Sequence, residues 1–238
     1  MKTPSVKSIF ILWLHQKSQE CSVMVDKFTS ADWRNAALLT IDTQNDFTLP
    51  DSPFAITETF EIVPKMRQVL HAFRSTGRPI IHVIRIYNSD GSNVDLCRKR
   101  AVGELGKKLV IAGTQGADLV DELKPSYHKV MLDTELLLKG KLQQVASKEW
   151  IMYKPRWGAF YATPLEKHLH ELNTNTVVIC GCNFPNCPRT TIYEASERDF
   201  RVVLISDATS NIYERGLHEL DDIGVELMTS DECIAALN

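Results

Sequence analysis

The stretch Val177-Val178-Ile179-Cys180-Gly181-Cys182-Asn183-Phe184-Pro185-Asn186-Cys187-Pro188-Arg189-Thr190-Thr191 holds three of the chain's six cysteines. Thiols in such a cluster can bind a metal, close a disulfide, fill a core or attack a carbon. A structural zinc site needs four ligands, usually as two spaced pairs, and no histidine or second pair lies close in sequence. Six cysteines in 238 residues, with Cys21, Cys97 and Cys233 irregularly placed, do not make a disulfide framework. Cys180 sits in an apolar run and reads as packing. Cys182 is placed to line the following loop but has no helix end behind it. Cys187 differs from both. Pro188 follows it, and Ile192 and Ala195 begin an apolar helical pattern, so Cys187 falls at or next to a helix N-cap. The partial positive charge of a helix start stabilises a thiolate.

A cysteine nucleophile needs a base for its proton and a cation to hold its charge. Asp42, at the end of Ala36-Ala37-Leu38-Leu39-Thr40-Ile41, is a candidate base and the later acid for a leaving amine. Lys154, after Trp150-Ile151-Met152-Tyr153, is a candidate cation. Taken singly, each has a plainer reading: an Asp closing a strand also forms turns, and a Lys before Pro155 is also a solvated side chain.

What unites them is the order of elements. Ala36 to Ile41 reads as a buried strand, Glu61 to Thr76 as a helix stopped by Gly77, and Pro79 to Ile86 as the next strand. Residues 87–148 are less regular, with helices expected around Val94 to Glu104 and Glu135 to Ala146. Then follow strand Trp150 to Tyr153, helix Pro164 to Leu172, strand Thr176 to Cys180, helix Cys187 to Arg198, strand Val202 to Ile205, helix Tyr213 to Ile223, strand Val225 to Met228 and helix Asp231 to Leu237. Repeated β-α units predict a single α/β domain with three α/β/α layers and a Rossmann-like, mostly parallel sheet of about six strands. Sites in such sheets collect beyond the carboxyl ends of the strands. Asp42, Lys154 and Cys187 all belong to that edge.

Three segments carry a family resemblance. Leu38-Leu39-Thr40-Ile41-Asp42-Thr43-Gln44-Asn45-Asp46-Phe47 resembles the opening motif of the isochorismatase-like cysteine hydrolases. Tyr153 to Leu165 resembles their lysine motif, and Gly181 to Ala195 their nucleophile motif, all in family order. The resemblance implies an Asp-Lys-Cys triad at Asp42, Lys154 and Cys187. It also implies a non-proline cis peptide between Cys182 and Asn183, and an oxyanion hole made by the N–H groups of Asn183 and Cys187. Departures occur at Asn183-Phe184-Pro185, where the family has a small residue, Thr and Asp or Asn, and at Pro188, where it has Val. These alter the pocket more than the backbone donors. Nicotinamidases of the family add Asp and His ligands for a metal. Here Asp51 is present but no histidine occurs between Phe47 and His71, so no metal is expected and nicotinamide is disfavoured. Family members that hydrolyse a vinyl ether typically lack the thiol, so Cys187 points to the amidohydrolase branch.

The expectation is therefore a cofactor-independent hydrolase of a C–N bond in a small amide, ureido or carbamoyl compound or lactam. The alternatives are an isochorismatase-type vinyl ether hydrolase and a non-catalytic binding protein on the same fold. Phe47, Trp157 and Phe160 are candidate pocket walls, with a core role the rival reading for Phe47 and Phe160. His82 reads as a hydrogen-bonded core residue. No glycine-rich phosphate loop suggests a nucleotide cofactor.

Composition agrees. A 44% hydrophobic and 24% charged chain can bury a sizeable core, and a net charge of -3 without a basic run argues against nucleic acid. No apolar run reaches the ~18 residues of a membrane span. The run Ile9 to Leu14 after Lys2 and Lys7 is too short for a signal peptide, so residues 1–30 are read as an N-terminal extension, with Met24 an alternative start, on a cytoplasmic protein whose domain spans 31–238. The resemblance suggests a homo-oligomer, dimer or tetramer. Leu136, Leu137, Leu138 and Leu142 are expected to cover the domain's own core or to join a subunit contact.

Overall fold

The computed structural model describes residues 26–125 and 130–238. Most of the expected N-terminal extension, with Met24 and Cys21, lies outside the described residues.

Seven strands form one sheet: β1 (Ala36–Ile41), β2 (Ile80–Ile84), β3 (Gln143–Ala146), β4 (Glu149–Tyr153), β5 (Thr176–Gly181), β6 (Arg201–Thr209) and β7 (Glu226–Met228). Their spatial order is β3-β4-β2-β1-β5-β6-β7, and every pairing is parallel except β3 with β4. Parallel strands are covered on both faces, which is why β1 is apolar at nearly every position. Its side chains alternate: Ala37, Leu39 and Ile41 enter one core, and Ala36 and Leu38 the other. The first core lies under α4 (Leu165–Glu171), α5 (Cys187–Ser196) and α6 (Glu214–Asp221). The second lies under α2 (Val63–Ser75) and α7 (Ser230–Leu237). Two short helices, α1 (Asn45–Thr48) and α3 (Thr134–Leu138), complete the set. The three-layer α/β/α architecture stands as expected.

Two details differ from the sequence reading. The helix expected to run from Glu135 to Ala146 ends at Leu138, where Gly140 takes a positive φ of 74° and stops it. The residues beyond turn back as β3, an antiparallel edge strand on β4, and make the sheet seven strands wide. The helix expected over Val94 to Glu104 is broken into a 3₁₀ turn (Leu96–Arg98) and a π turn (Arg100–Glu104). There the Asp95 and Arg98 side chains are drawn inward into hydrogen bonds with Tyr87 instead of lying along a helix face. Among the four leucines, Leu137 is fully buried with Ile84, Ile86, Ile151 and Tyr153, and Leu138 packs beside it, so this segment covers its own core.

The strand order places the site. Connections leave β1 in opposite directions, toward β2 and β4 on one side and β5 to β7 on the other. The reversal between β1 and β5 opens a crevice at their carboxyl ends.

His82 is a structural group, as read. Its Nδ1 pairs with Thr40 Oγ1 at 2.8 Å and its Nε2 with Glu149 Oε1 at 2.8 Å, all buried. Arg74 clamps the same carboxylate through Nη2 at 2.7 Å and Nε at 3.0 Å. Burial pushes the Glu149 carboxyl up, but hydrogen bonds from His82 and Arg74 outweigh it and hold it at about 2. A carboxylate held below its ordinary 4.5 adds stability that is complete above that value and lost as pH falls toward 2. Glu149→Gln is expected to cost about 3 kcal/mol near neutrality. The gap between variant and wild type in urea unfolding should narrow steadily as pH falls below 4.5. A gap independent of pH would remove the ion pair from this role.

Candidate active site

Asp42 caps β1 with a left-handed φ of 51°, and its N–H donates to Val83 O at 2.8 Å. Lys154 follows β4, and its N–H donates to Ile84 O at 2.9 Å. Both backbones are thus pinned to β2, which lies between them. Two strand spacings, about 9–10 Å, separate β1 from β4, and the lysine stem spans the gap. Its Nζ donates to Asp42 Oδ2 at 2.8 Å and to Arg156 O at 3.3 Å, and the side chain is completely buried.

Cys187 arrives from the other side. At the end of β5, Gly181 lies opposite Ile41 with φ 115°, and a Cβ there would sit 2.3 Å from Ile41 O. Only glycine permits this crossing. Next, Cys182 donates its N–H to Ile41 O at 2.9 Å and its Sγ–H to Asp42 O at 3.1 Å. The Cys182–Asn183 peptide is cis, at the bond the resemblance implied. A short turn, closed by Asn186 N–H to Asn183 O at 3.0 Å, leads into α5 at Cys187. The Asn183 N–H has no hydrogen-bond partner among the described residues, and Cys187 N–H is one of the open donors of a helix start.

The result is a carboxylate with one oxygen held and one free. Asp42 Oδ1 is buried and makes no hydrogen bond of standard geometry among the described residues. The Cys187 thiol faces this carboxyl. Burial pushes that thiol above its ordinary value, Asp42 pushes the same way, and Lys154 and Arg85 pull it down. The helix start alone predicted a lowered thiol. The direction is opposite because Cys187 is only 3% exposed and stands beside a carboxylate. A thiol favoured in its protonated form beside a carboxyl group is a proton donor paired with an acceptor. Cys182 and Cys180 are raised too, both chiefly by burial.

The isochorismatase domain model matches residues 36–232. This chain belongs to the isochorismatase family. It is 32% identical over 205 residues to a protein of Arabidopsis thaliana named as a probable inactive nicotinamidase, covering 84% of this chain and 95% of that one. It is 25% identical over 212 residues to the maleamate amidohydrolase of Pseudomonas putida, covering 86% and 87%. The crystal structure of an isochorismatase family protein from Desulfovibrio vulgaris superposes with a TM-score of 0.72 at 28% identity, covering 85% of this chain and 98% of that one.

Against this isochorismatase frame, α5 is stitched to the loop after Lys154. Thr191 Oγ1 accepts from Ala159 N–H at 3.1 Å and donates to Cys187 O at 2.7 Å. Glu194 Oε2 accepts from Phe160 N–H at 2.8 Å and occupies the space a side chain at Gly158 would need. Of the three aromatic candidates, Phe47 packs in a cluster with Tyr87 and Cys182. Trp157 is half-buried, with the Arg98 guanidinium 5.8 Å from its ring. Phe160 lies in the core beneath α4 and α5, 5.7 Å from the Phe200 ring and under Arg198.

Sequence reasoning missed the groups behind Asp42. Arg85 is buried, donating through Nη1 to Asp95 Oδ1 and Pro155 O, both at 3.0 Å, and through Nη2 to Arg156 O at 2.8 Å. Burial disfavours its charge, but Asp42, Tyr87, Cys187 and Asp95 hold it above its usual value. Gln44 ties the same loops together, accepting from Arg85 N–H at 2.8 Å and donating to Arg85 O and Ala117 O, both at 2.7 Å. An arginine inside Pro79 to Ile86, a run of otherwise buried-strand character, was the available signal. As for a metal, Asp51 is exposed, and among the described residues no three His, Cys, Asp or Glu side chains gather as a ligand set. The residues do not fit the metal centre that nicotinamidases imply. Among the described residues no helix is long and apolar enough to cross a membrane.

The crossing at Gly181 yields a test of how Cys187 is placed. Gly181→Ala forces a Cβ into a backbone oxygen and is expected to destabilise by about 2–4 kcal/mol in urea unfolding. Gly77→Ala, also at a positive φ but with nothing within 4 Å, should cost only about 1 kcal/mol. Equal losses at the two positions would show that the close approach of β1 and β5 is not what requires glycine.

Proposed function

We propose that this chain is a cysteine amidohydrolase that cleaves the C–N bond of a small amide or ureido compound through a covalent intermediate on Cys187. One observation carries the reading: the Cys187 thiol interacts with the buried Asp42 carboxyl, whose Oδ2 is held by Lys154 and whose Oδ1 has no other partner among the described residues. The sequence of proton transfers follows from it. The thiol proton passes to Asp42 Oδ1 as sulfur bonds to the carbonyl carbon, and the carbonyl electron pair moves to oxygen. The N–H groups of Asn183 and Cys187 receive that oxyanion. On collapse the C–N bond breaks, Asp42 gives its proton to the departing nitrogen, and ammonia or an amine leaves a thioester or thiocarbamate. Water then gives a proton to Asp42 and attacks the same carbon. The C–S bond breaks, the acid departs, and the thiolate takes the proton back from Asp42.

In this cycle Lys154 holds Asp42 oriented before attack and offsets negative charge on sulfur. Phe47 and Trp157 border the pocket, and Phe160 supports the loop from within the core. No step calls for a cofactor, and the substrate is a small molecule. The relative from Pseudomonas putida is named for a small acyclic amide, which supplies a starting compound class. Nicotinamide stays disfavoured, and the Arabidopsis thaliana relative is itself named a probable inactive nicotinamidase.

Ammonia release from a panel of primary amides and ureido acids that includes maleamate checks the proposal. Wild type is expected to turn over at least one member, Cys187→Ala none, and Asp42→Asn about 10²–10⁴-fold more slowly. Circular dichroism spectra should be unchanged in both variants. A Cys187→Ala protein that retained substantial turnover would end the covalent mechanism.

A further inference from the structure

From the hydrogen bonds of Arg98 and its place over Trp157, we infer that Arg98 is an anion-binding residue that takes a carboxylate on the end of the substrate remote from the scissile bond. The inference deepens the hydrolase reading and rests on it for the chemistry at the near end of the ligand.

The charges around the site do not balance. The Asp42 carboxylate is matched by Lys154. One further carboxylate, Asp95, serves two guanidinium groups. Its Oδ1 accepts from Arg85 Nη1 at 3.0 Å and Tyr87 Oη–H at 2.5 Å, and its Oδ2 accepts from Arg98 Nη1 at 3.2 Å. Arg85 is fully committed, buried and bonded to two backbone carbonyls as well. Arg98 is not. Its bonds all run through Nη1, to Asp95 and to Tyr87 Oη at 3.3 Å, and Nε and Nη2 have no partner among the described residues. Those two nitrogens form one edge of the planar guanidinium, with the two parallel N–H groups that match a carboxylate.

Position supports the same conclusion. The Arg98 side chain is 25% exposed, open to a ligand yet held by Asp95 from behind. Its guanidinium lies 5.8 Å from the ring of Trp157, three residues after Lys154. The Arg98 charge also acts on Cys187 and Cys182. A net positive charge near the thiol and an unfilled bidentate edge suit an ω-carboxy amide or a ureido acid better than a neutral amide. Tyr87 and Asp95 are then positioning residues, fixing the angle of that edge.

Titration calorimetry with succinate and its neutral analogue succinamide tests this, using wild type, Cys187→Ala, Arg98→Gln and Arg98→Lys for succinate and a Cys187→Ala background throughout for succinamide, which an active thiol would hydrolyse. Succinate should bind wild type and Cys187→Ala alike, and more tightly than succinamide does. Arg98→Gln should weaken succinate about 10–100-fold, as for loss of a charged hydrogen-bonded pair, and leave succinamide unchanged. Arg98→Lys should fall between, keeping the charge without the fork. Failure of succinate to bind wild type, equal affinity for succinate and succinamide, or undiminished succinate binding by Arg98→Gln would overturn the inference. Because Cys187→Ala is included, a failure of the covalent mechanism shows in the amide panel and leaves these affinities to be judged separately.

Discussion

Lys154 Nζ and the Asp42 carboxylate meet at 2.8 Å with both side chains out of water, and the site is arranged around that contact. Burying two charges is costly unless they are paired well and their remaining bonding capacity is used. Lysine uses its capacity on Asp42 and on Arg156 O. The carboxylate does not, since Oδ1 is left without a conventional partner among the described residues. An unsatisfied buried acceptor of this kind is unfavourable for folding and useful for taking a proton. The sheet makes the contact possible: β2 sets the distance a lysine must reach, and β5 brings Cys187 toward the same carboxyl from the opposite side.

The rest of the molecule supports that geometry at a few points. Gly181 lets β5 pass the end of β1, Gln44 binds the loops after β1 and β2, and Thr191 and Glu194 join α5, which starts at Cys187, to the loop after Lys154. Arg85 places a second buried cation behind the carboxylate. The resting cysteine is therefore best described as a protonated thiol in a field of opposed charges, with burial the largest influence on it. In the proposed mechanism, activation then comes from proton transfer to Asp42 during attack, and not from a standing thiolate.

Much of this was legible in the chain itself. The six parallel strands are apolar runs flanked by stop signals, and Asp42, Lys154 and Cys187 stand at three of their ends because that is where loops of an α/β sheet expose side chains. Elements set by tertiary contacts were not legible. Gln143 to Ala146 has weak local preference and became a strand because β4 offered an unpaired edge after Gly140 ended the helix. Asp95 and Arg98 sit in a segment with helical spacing, yet their side chains turn inward to Tyr87 and, for Asp95, to Arg85, contacts that no local pattern announces. Phe160 shows the limit for aromatics: the motif places it beside the lysine, while packing against Phe200 puts it in the core.

The central claim, that Asp42 and Lys154 act in opposite directions on the Cys187 proton, is open to one direct measurement that needs no substrate. The rate of Cys187 carboxamidomethylation by iodoacetamide, followed by peptide mass spectrometry across pH, reports the thiol's titration. In wild type the midpoint should lie above that of an ordinary cysteine, in line with the raised thiol. Asp42→Asn removes the carboxylate that raises it and should move the midpoint down, whereas Lys154→Met removes a cation that lowers it and should move the midpoint up. Shifts in the same direction for both variants, or none for either, would contradict the account.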